Sequence, residues 1–372
     1  MKYYLIAGEA SGDLHASNLM KALKRCDPNA DFRFWGGDRM AAVGSELVMH
    51  HRDISFMGFA EVFANIRTIL GLLKMAKKDI AASRPDAVVL VDYPGFNLRI
   101  AKFAHELGIK VFYYISPQVW AWKKNRVYKI KRYVDRMFVI LPFEKEFYDR
   151  FNYDVTYVGH PLLDALPQFT LKGKAEFLGD NELSDAPIIA LLPGSRTQEV
   201  PKILPVMLQS AREFPEYQIV IAGMKNLGPD FYAPYVQSER VHVVFDQTYD
   251  LLNNAAVAAV ASGTATLETA LFDVPQVVCY ETSWITYMIA KNLVNIRFIS
   301  LVNLIYGKEV IRELIQGEMN SEALTGELKR LLRGDKSNLL RKQYEELRHL
   351  LGDGGASEKT AEEIWSEMSS HA

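Results

Sequence analysis

Short runs of Val, Ile, Leu, Phe and Tyr alternate with longer amphipathic stretches, and the alternation occurs twice along the chain. The first series reads as strands at 2–7, 32–36, 86–92, 110–115, 135–141 and 155–158. Helices fall between them at 13–25, 59–83, 97–107, 124–133 and 143–150. The second reads as strands at 188–192, 218–223, 241–245, 256–260 and 276–279, with helices at 199–213, 248–253 and 264–272. A strand as uniformly apolar as Ala87-Val88-Val89-Leu90-Val91 needs cover on both faces. Strand–helix repetition supplies that cover as a parallel sheet with helices above and below, so the expected class is α/β.

A chain of 372 residues exceeds one ordinary core. Periodicity lapses over "FTLKGKAEFLGDNELSDAP" (169–187), which reads as a connector with one short helix. The expected division is an N-terminal Rossmann-like domain over 1–165, a linker over 166–186 and a second Rossmann-like domain over 187–345. Past 283 the pattern is helical throughout, and the helices of 346–372 are expected to cross back to the N-terminal domain. Two doubly wound domains of this kind would face a central cleft at the carboxyl ends of their strands.

Glycine and small polar residues gather where three of these strands end. In "LIAGEASGDLH" (5–15), Gly8 and Gly12 permit a tight turn, and Ser11 and Asp13 are placed to cap a helix starting near Leu14. The spacing is not G-x-G-x-x-G, and Glu9 would repel a pyrophosphate, which argues against a dinucleotide fingerprint. Glu9 and Ser11 remain candidates for holding hydroxyls of a neutral ligand. In "ALLPGSRTQEV" (190–200), Gly194, Ser195 and Arg196 combine helix-start amides, a hydroxyl and a guanidinium, a set suited to diphosphate. The plainer reading is a surface arginine after a turn. In "AAVASGTATLETALF" (258–272), Ser262, Gly263 and Thr264 let backbone approach a ligand, and Glu268 lies one helical turn past Thr264. That carboxylate suits a ribose diol; alternatively it is only a dipole partner of its helix. Two phosphate-type loops in one domain favour a nucleotide. No D-x-D and no His/Asp/Glu cluster at ligand spacing occurs, so neither metal nor cofactor is expected.

A fourth strand end is different. "LVDYPGFN" (90–97) sets Asp92 where a buried strand surfaces. Pro94 and Gly95 make the turn and Asn97 reads as the cap of the next helix, so the turn does not require Asp92. The carboxylate is either an Asx-turn residue or a general base.

Two stretches have lipophilic or basic character. Phe59, Val62, Phe63, Ile66, Leu70 and Leu73 recur at helical spacing, with Lys74, Lys77 and Lys78 at the end of the stripe. A core-facing helix explains the stripe; its width beside lysines also suits anionic lipid or acyl chains. Trp120 and Trp122 adjoin Lys123, Lys124, Arg126 and Lys129. An acceptor phosphate or a membrane surface is favoured there over nucleic acid, since the net charge is only −2. The apolar region 54–76 contains Glu61, Asn65 and Arg67 and is a poor membrane span. Two distant cysteines and no recognisable leader suggest a reducing cytoplasm.

Taken in order, "AGEASGD", "VDYPGFN", "SPQVWAWKKNRVYKIK", "LPFEKEFY", "VGHPLLD", "LLPGSR" and "ASGTATLE" make the chain similar to lipid-A-disaccharide synthases from about residue 3 to about 350. The resemblance implies an inverting glycosyltransferase with two Rossmann-like domains of GT-B type. It would join UDP-2,3-diacylglucosamine to 2,3-diacylglucosamine 1-phosphate, releasing UDP and a β-1,6 disaccharide 1-phosphate. No metal would be needed, and the enzyme would rest peripherally on the cytoplasmic face of a Gram-negative inner membrane. By position it makes Asp92 the general base, with Glu9 and Ser11 nearby. Gly194, Ser195, Arg196, Ser262, Gly263, Thr264, Glu268 and Asn303 fall on the UDP side. Gly95 stands where many relatives carry a second acid, so Asp92 acts alone or with Glu9. Rival expectations are a UDP-N-acetylglucosamine epimerase, another transferase of the same fold, or a non-catalytic basic protein docking on membranes or RNA. Oligomeric state stays open, a homodimer included.

Overall fold

In the first unit of the computed structural model, β1 (Lys2–Ala7) is buried from Tyr3 onward and lies between β2 (Asp31–Gly36) and β4 (Ala87–Val91). The structure describes residues 1–53, 66–122, 124–284, 287–288 and 296–370. Adding β3 (Glu46–His50), β5 (Lys110–Tyr114), β6 (Arg136–Val139) and β7 (Thr156–Tyr157) gives a parallel sheet of order β3-β2-β1-β4-β5-β6-β7. The helices between strands are α1 (Ala10–Cys26), α2 (Ile66–Ser83), α3 (Pro94–Glu106), α4 (Arg126–Tyr133) and α5 (Pro142–Asp149). Alternate residues of β1 and β4 separate the two faces: Tyr3, Leu5, Ala7, Val89 and Val91 join Leu19 and Leu23 of α1 in one core.

The same core takes in Ala356, Ala361 and Ile364 of the C-terminal helix Ala356–Ser369. Asp164 caps that helix, accepting the backbone N–H groups of Gly355 at 2.6 Å, Ala356 at 3.2 Å and Ser357 at 2.8 Å. Near its other end Glu367 pairs with Lys110 at 3.0 Å and Arg136 at 3.3 Å. The first unit therefore comprises Met1–Phe169 together with Leu351–Ala372, and the second comprises Thr170–Leu350.

The second unit repeats the plan with β8 (Ile188–Leu192), β9 (Gln218–Gly223), β10 (Val241–Phe245), β11 (Ala255–Ala261), β12 (Gln276–Tyr280) and β13 (Glu313–Ile315). All its pairings are parallel, in the order β10-β9-β8-β11-β12-β13. Its helices include α6 (Val200–Ala211), α7 (Thr264–Leu271), α8 (Leu301–Tyr306), α9 (Ser321–Leu332) and α10 (Asp335–Leu351).

The α/β class and the strand–helix alternation are as expected, with two additional strands. Both β3 and β13 are edge strands. Neither has the long two-faced apolar run that marks a central strand: β3 is "ELVMH" and β13 only "ELI". The region after 283 is consequently not wholly helical.

Candidate functional site

In each sheet the strand order reverses once, at β1/β4 in the first unit and at β8/β11 in the second. Helices leave to opposite faces at such a point, so the loops beyond the carboxyl ends diverge and leave room for a ligand. The glycine-rich loops and Asp92 all follow these four strands.

After β1 the chain enters α1 directly, with Glu9 at the cap position and no side-chain cap. Glu9 is half-buried and Ser11 exposed. Contrary to expectation, Ser11 and Asp13 do not cap α1, which already begins at Ala10. The buried Asp13 carboxylate instead caps the short helix Asp38–Ala41, accepting the N–H of Gly37 at 2.7 Å and of Arg39 and Met40 at 3.1 Å. Gly8 is required by close approach: a Cβ there would lie 2.5 Å from the ring of Tyr93.

After β4, Asp92 and Tyr93 both adopt left-handed backbone, with φ of 45° and 49°. For a residue such as Tyr93 that conformation costs about 1–2 kcal/mol, and for Asp92 less. The Asp92 N–H extends the β5 ladder to the Tyr114 carbonyl at 3.1 Å. Its half-buried carboxyl accepts the Tyr93 N–H, and burial, with repulsion from Glu9, raises it from 3.8 to about 7. A carboxyl so placed exchanges a proton readily at neutral pH. Helix α3 starts at Pro94, so Asn97 lies within its first turn and is not its cap. The Asn97 amide points back to the carbonyls of Asp92 at 2.7 Å and Val91 at 3.2 Å. Gly95 is exposed with open space around it.

In the second unit Gly194 makes the turn after β8, and Ser195 and Arg196 are exposed. Arg196 is 61% exposed and pairs at 2.7 Å with Glu199 of its own loop, a contact that an incoming anion can exchange at little cost. After β11, Gly263 takes φ 154° and ψ −162°, a region open essentially to glycine alone, and opens α7. Thr264 is exposed beside it. The Ser262 hydroxyl donates to the Ile299 carbonyl at 3.1 Å, so its proton is already used. Glu268 is half-buried, accepts the Tyr249 hydroxyl at 2.9 Å and is held above the usual carboxylate range by burial.

Asn303 is the exception among the expected ligand contacts. It is fully buried; its Nδ2 donates to Ile311 O at 2.8 Å and Glu313 at 2.9 Å. Its Oδ1 accepts the N–H of Val310 at 2.7 Å and Ile311 at 3.0 Å. No hydrogen-bonding capacity is left for a nucleotide, and the side chain ties α8 to the stretch from Val310 to Glu313.

Phe59, Val62, Phe63 and Lys123 lie outside the described residues, as does the side chain of Ile66. On α2, Leu73, Ala76 and Ile80 face the core, whereas Leu70 and Met75 are 57% and 37% exposed beside exposed Lys74 and Lys78. Lys124 is exposed, and Arg126 stacks over Trp122 at 5.3 Å. Trp120 is buried, donating to Glu144 at 3.2 Å, and belongs to the core instead of a basic aromatic surface. Among the described residues no helix is long and apolar enough to cross a membrane, and no group of three His, Cys, Asp or Glu is arranged for a metal.

Sequence reasoning missed Tyr93, Tyr113 and Tyr249, each in contact with a site residue or its loop. A signal existed for Tyr113, since a buried tyrosine at a strand end needs a partner for its hydroxyl.

Comparison with known proteins agrees along the whole chain. A lipid-A-disaccharide synthase of Syntrophus aciditrophicus is 40% identical over 366 residues, covering 96% of this chain and 95% of that protein. One from Trichlorobacter lovleyi is 39% identical over 364 residues, with the same coverage. Among solved structures, a UDP-GlcNAc 2-epimerase of Neisseria meningitidis bound to UDP-GlcNAc superposes with a TM-score of 0.67 at 13% identity. It covers 98% of this chain and 100% of its own, a likeness of fold alone. The family model described as Lipid-A-disaccharide synthetase matches residues 3–366, and the chain belongs to that family.

Proposed function

We propose that the chain joins UDP-2,3-diacylglucosamine to 2,3-diacylglucosamine 1-phosphate by inverting displacement, with Asp92 as the general base. The acceptor's primary hydroxyl is a weak nucleophile whose proton must leave as oxygen attacks the anomeric carbon. A positioned carboxylate taking that proton contributes on the order of 10²–10⁴-fold. The anomeric C–O bond breaks as the new one forms, and UDP departs with growing negative charge. Arg196 and the amides of Gly194, Ser195, Gly263 and Thr264 are proposed to bind that diphosphate, with Glu268 on the ribose. Glu9 is proposed to act on Asp92 by holding its proton affinity high.

One observation carries this reading: in a chain of this family, the carboxyl at the β1/β4 reversal stands on a left-handed turn and is poised near neutrality. We further propose that α2 meets an anionic lipid surface through Leu70 and Met75, with Lys74 and Lys78 beside them. The test is incubation of purified protein with UDP-diacylglucosamine and the lipid acceptor, followed by mass spectrometry. A disaccharide 1-phosphate and UDP are expected. Turnover of UDP-N-acetylglucosamine instead would overturn the proposal, as would full activity of Asp92→Asn.

A further inference from the structure

We propose that Tyr113 and Asn97 are positioning residues for Asp92, clamping its carbonyl so that the carboxyl is presented from a turn that would otherwise relax. The inference rests on the reading of Asp92 as the base.

Two consecutive non-glycine residues in left-handed backbone persist only where their surroundings over-determine them. Here the restraints converge on one atom. The Asp92 carbonyl oxygen accepts the Tyr113 hydroxyl at 2.5 Å and Asn97 Nδ2 at 2.7 Å. Both donors are anchored elsewhere. Tyr113 lies in β5, fully buried and paired in register with Leu90 of β4. Asn97 is fully buried in the first turn of α3, where the Asn97 and Phe96 N–H groups donate to the Tyr93 carbonyl at 3.0 and 3.2 Å. The same amide reaches Val91 O at 3.2 Å and Ile6 O at 3.5 Å. Three carbonyl oxygens on one side admit only its NH₂ group, which fixes the amide's orientation. Its Oδ1 is buried without a hydrogen-bond partner, so the side chain is held there for what Nδ2 does.

The clamp does not touch the carboxyl. It sets the peptide plane after Asp92 and thereby the direction of the Cα–Cβ bond. The ring of Tyr93, seated on Gly8, restrains the other side of the turn. Without the two donors the carbonyl is free to move, both backbone torsions of Asp92 can relax from the left-handed region, and the carboxyl shifts with them. Misplacement of a catalytic group by about 1 Å costs on the order of a hundredfold.

Tyr113→Phe removes one hydroxyl and keeps the ring; Asn97→Leu is the second variant, and Asp92→Asn the reference. Disaccharide synthesis is measured against pH, together with UDP binding by calorimetry and thermal melting. Tyr113→Phe is expected to lower kcat roughly 10–100-fold with both KM values and the UDP Kd within about twofold. The acid limb of its kcat profile, expected near 7 in the parent protein, should move to lower pH as Asp92 gains solvent. Wild-type kcat with an unmoved acid limb in folded Tyr113→Phe overturns the clamp. So does a loss of kcat matched by equal loss of UDP affinity, which marks general damage. If Tyr113→Phe does not fold, Asn97→Leu is read by the same criteria. If neither variant folds, the residues are structural and the proposal fails. Active Asp92→Asn would sink the base reading itself, whereas inactive Asp92→Asn beside fully active Tyr113→Phe sinks the clamp alone.

Discussion

Replacing Asp92 by Asn should make the first unit more stable while abolishing turnover. The Asp92 carboxyl titrates at about 7 against an ordinary 3.8 because burial disfavours its charged form and Glu9 repels it. At 1.36 kcal/mol per tenfold step, ionising it in the folded state costs roughly 4 kcal/mol more than in the unfolded chain. Solvent reaching the half-buried group discounts this to about 2–4 kcal/mol. Linkage supplies the sign. Below 3.8 both states hold the proton and the cost is absent; it grows as pH rises toward 7 and is constant above. The carboxamide never ionises, keeps the side-chain shape, and is among the few residues that tolerate a φ of 45°. For a unit of this size 1 kcal/mol is worth about 2–4 °C in Tm. Asp92→Asn should therefore melt several degrees above the parent protein at pH 8, with the gap narrowing steadily toward pH 4. Urea or thermal melts of both proteins across that range are the assay. A gap that does not change with pH, or a less stable variant at pH 8, would refute the account of Asp92.

Arg196→Ala should weaken UDP binding and turnover together, by about tenfold or more, with little change in Tm because the Glu199 pair is exposed; calorimetry with UDP checks this. Gly8→Ala forces a Cβ to within 2.5 Å of the Tyr93 ring and should cost about 1–3 kcal/mol together with most of kcat, read by melting and synthesis assays. His15 and His160 are buried and held down to about 4 and about 3, so below 6.5 the unfolded chain binds protons that the folded one refuses. The unfolding free energy from urea melts should fall on acidification by up to about 1.4 kcal/mol per pH unit for each histidine, and a His15→Asn/His160→Asn variant that is equally acid-sensitive would contradict this.

Central strands were legible because burial on both faces forces uninterrupted apolar runs, as in Ala87–Val91 and Ile188–Leu192. Edge strands β3 and β13 were not, because half-covered segments carry polar residues that erase the pattern. Loops bearing Glu9, Arg196 and Thr264 could be found from their glycines and positions. Their hydrogen-bond partners could not. Asp13 reads as a local cap but spends its carboxylate 24 residues away, on Gly37. Asn97 likewise reads as a cap and turns back to the strands. Asn303 shows the converse: a polar residue in a suggestive motif is consumed by Val310, Ile311 and Glu313, which only the fold brings to it. Propensity and periodicity describe neighbours along the chain, and these partners are neighbours in space.

The discontinuous first unit has a consequence for synthesis on the ribosome. Its sheet is encoded by residue 169, yet the surface of α1 that receives Ala361 and Ile364 has no cover until those residues are made. The second unit is complete by Leu350 and can close before the first does, reversing the usual N-to-C order of domain folding. Nascent chains therefore carry an exposed apolar stripe on α1 for the whole translation of the second unit, a target for chaperones. A stop codon before 356 should leave the second unit intact and send the first to aggregation or proteolysis.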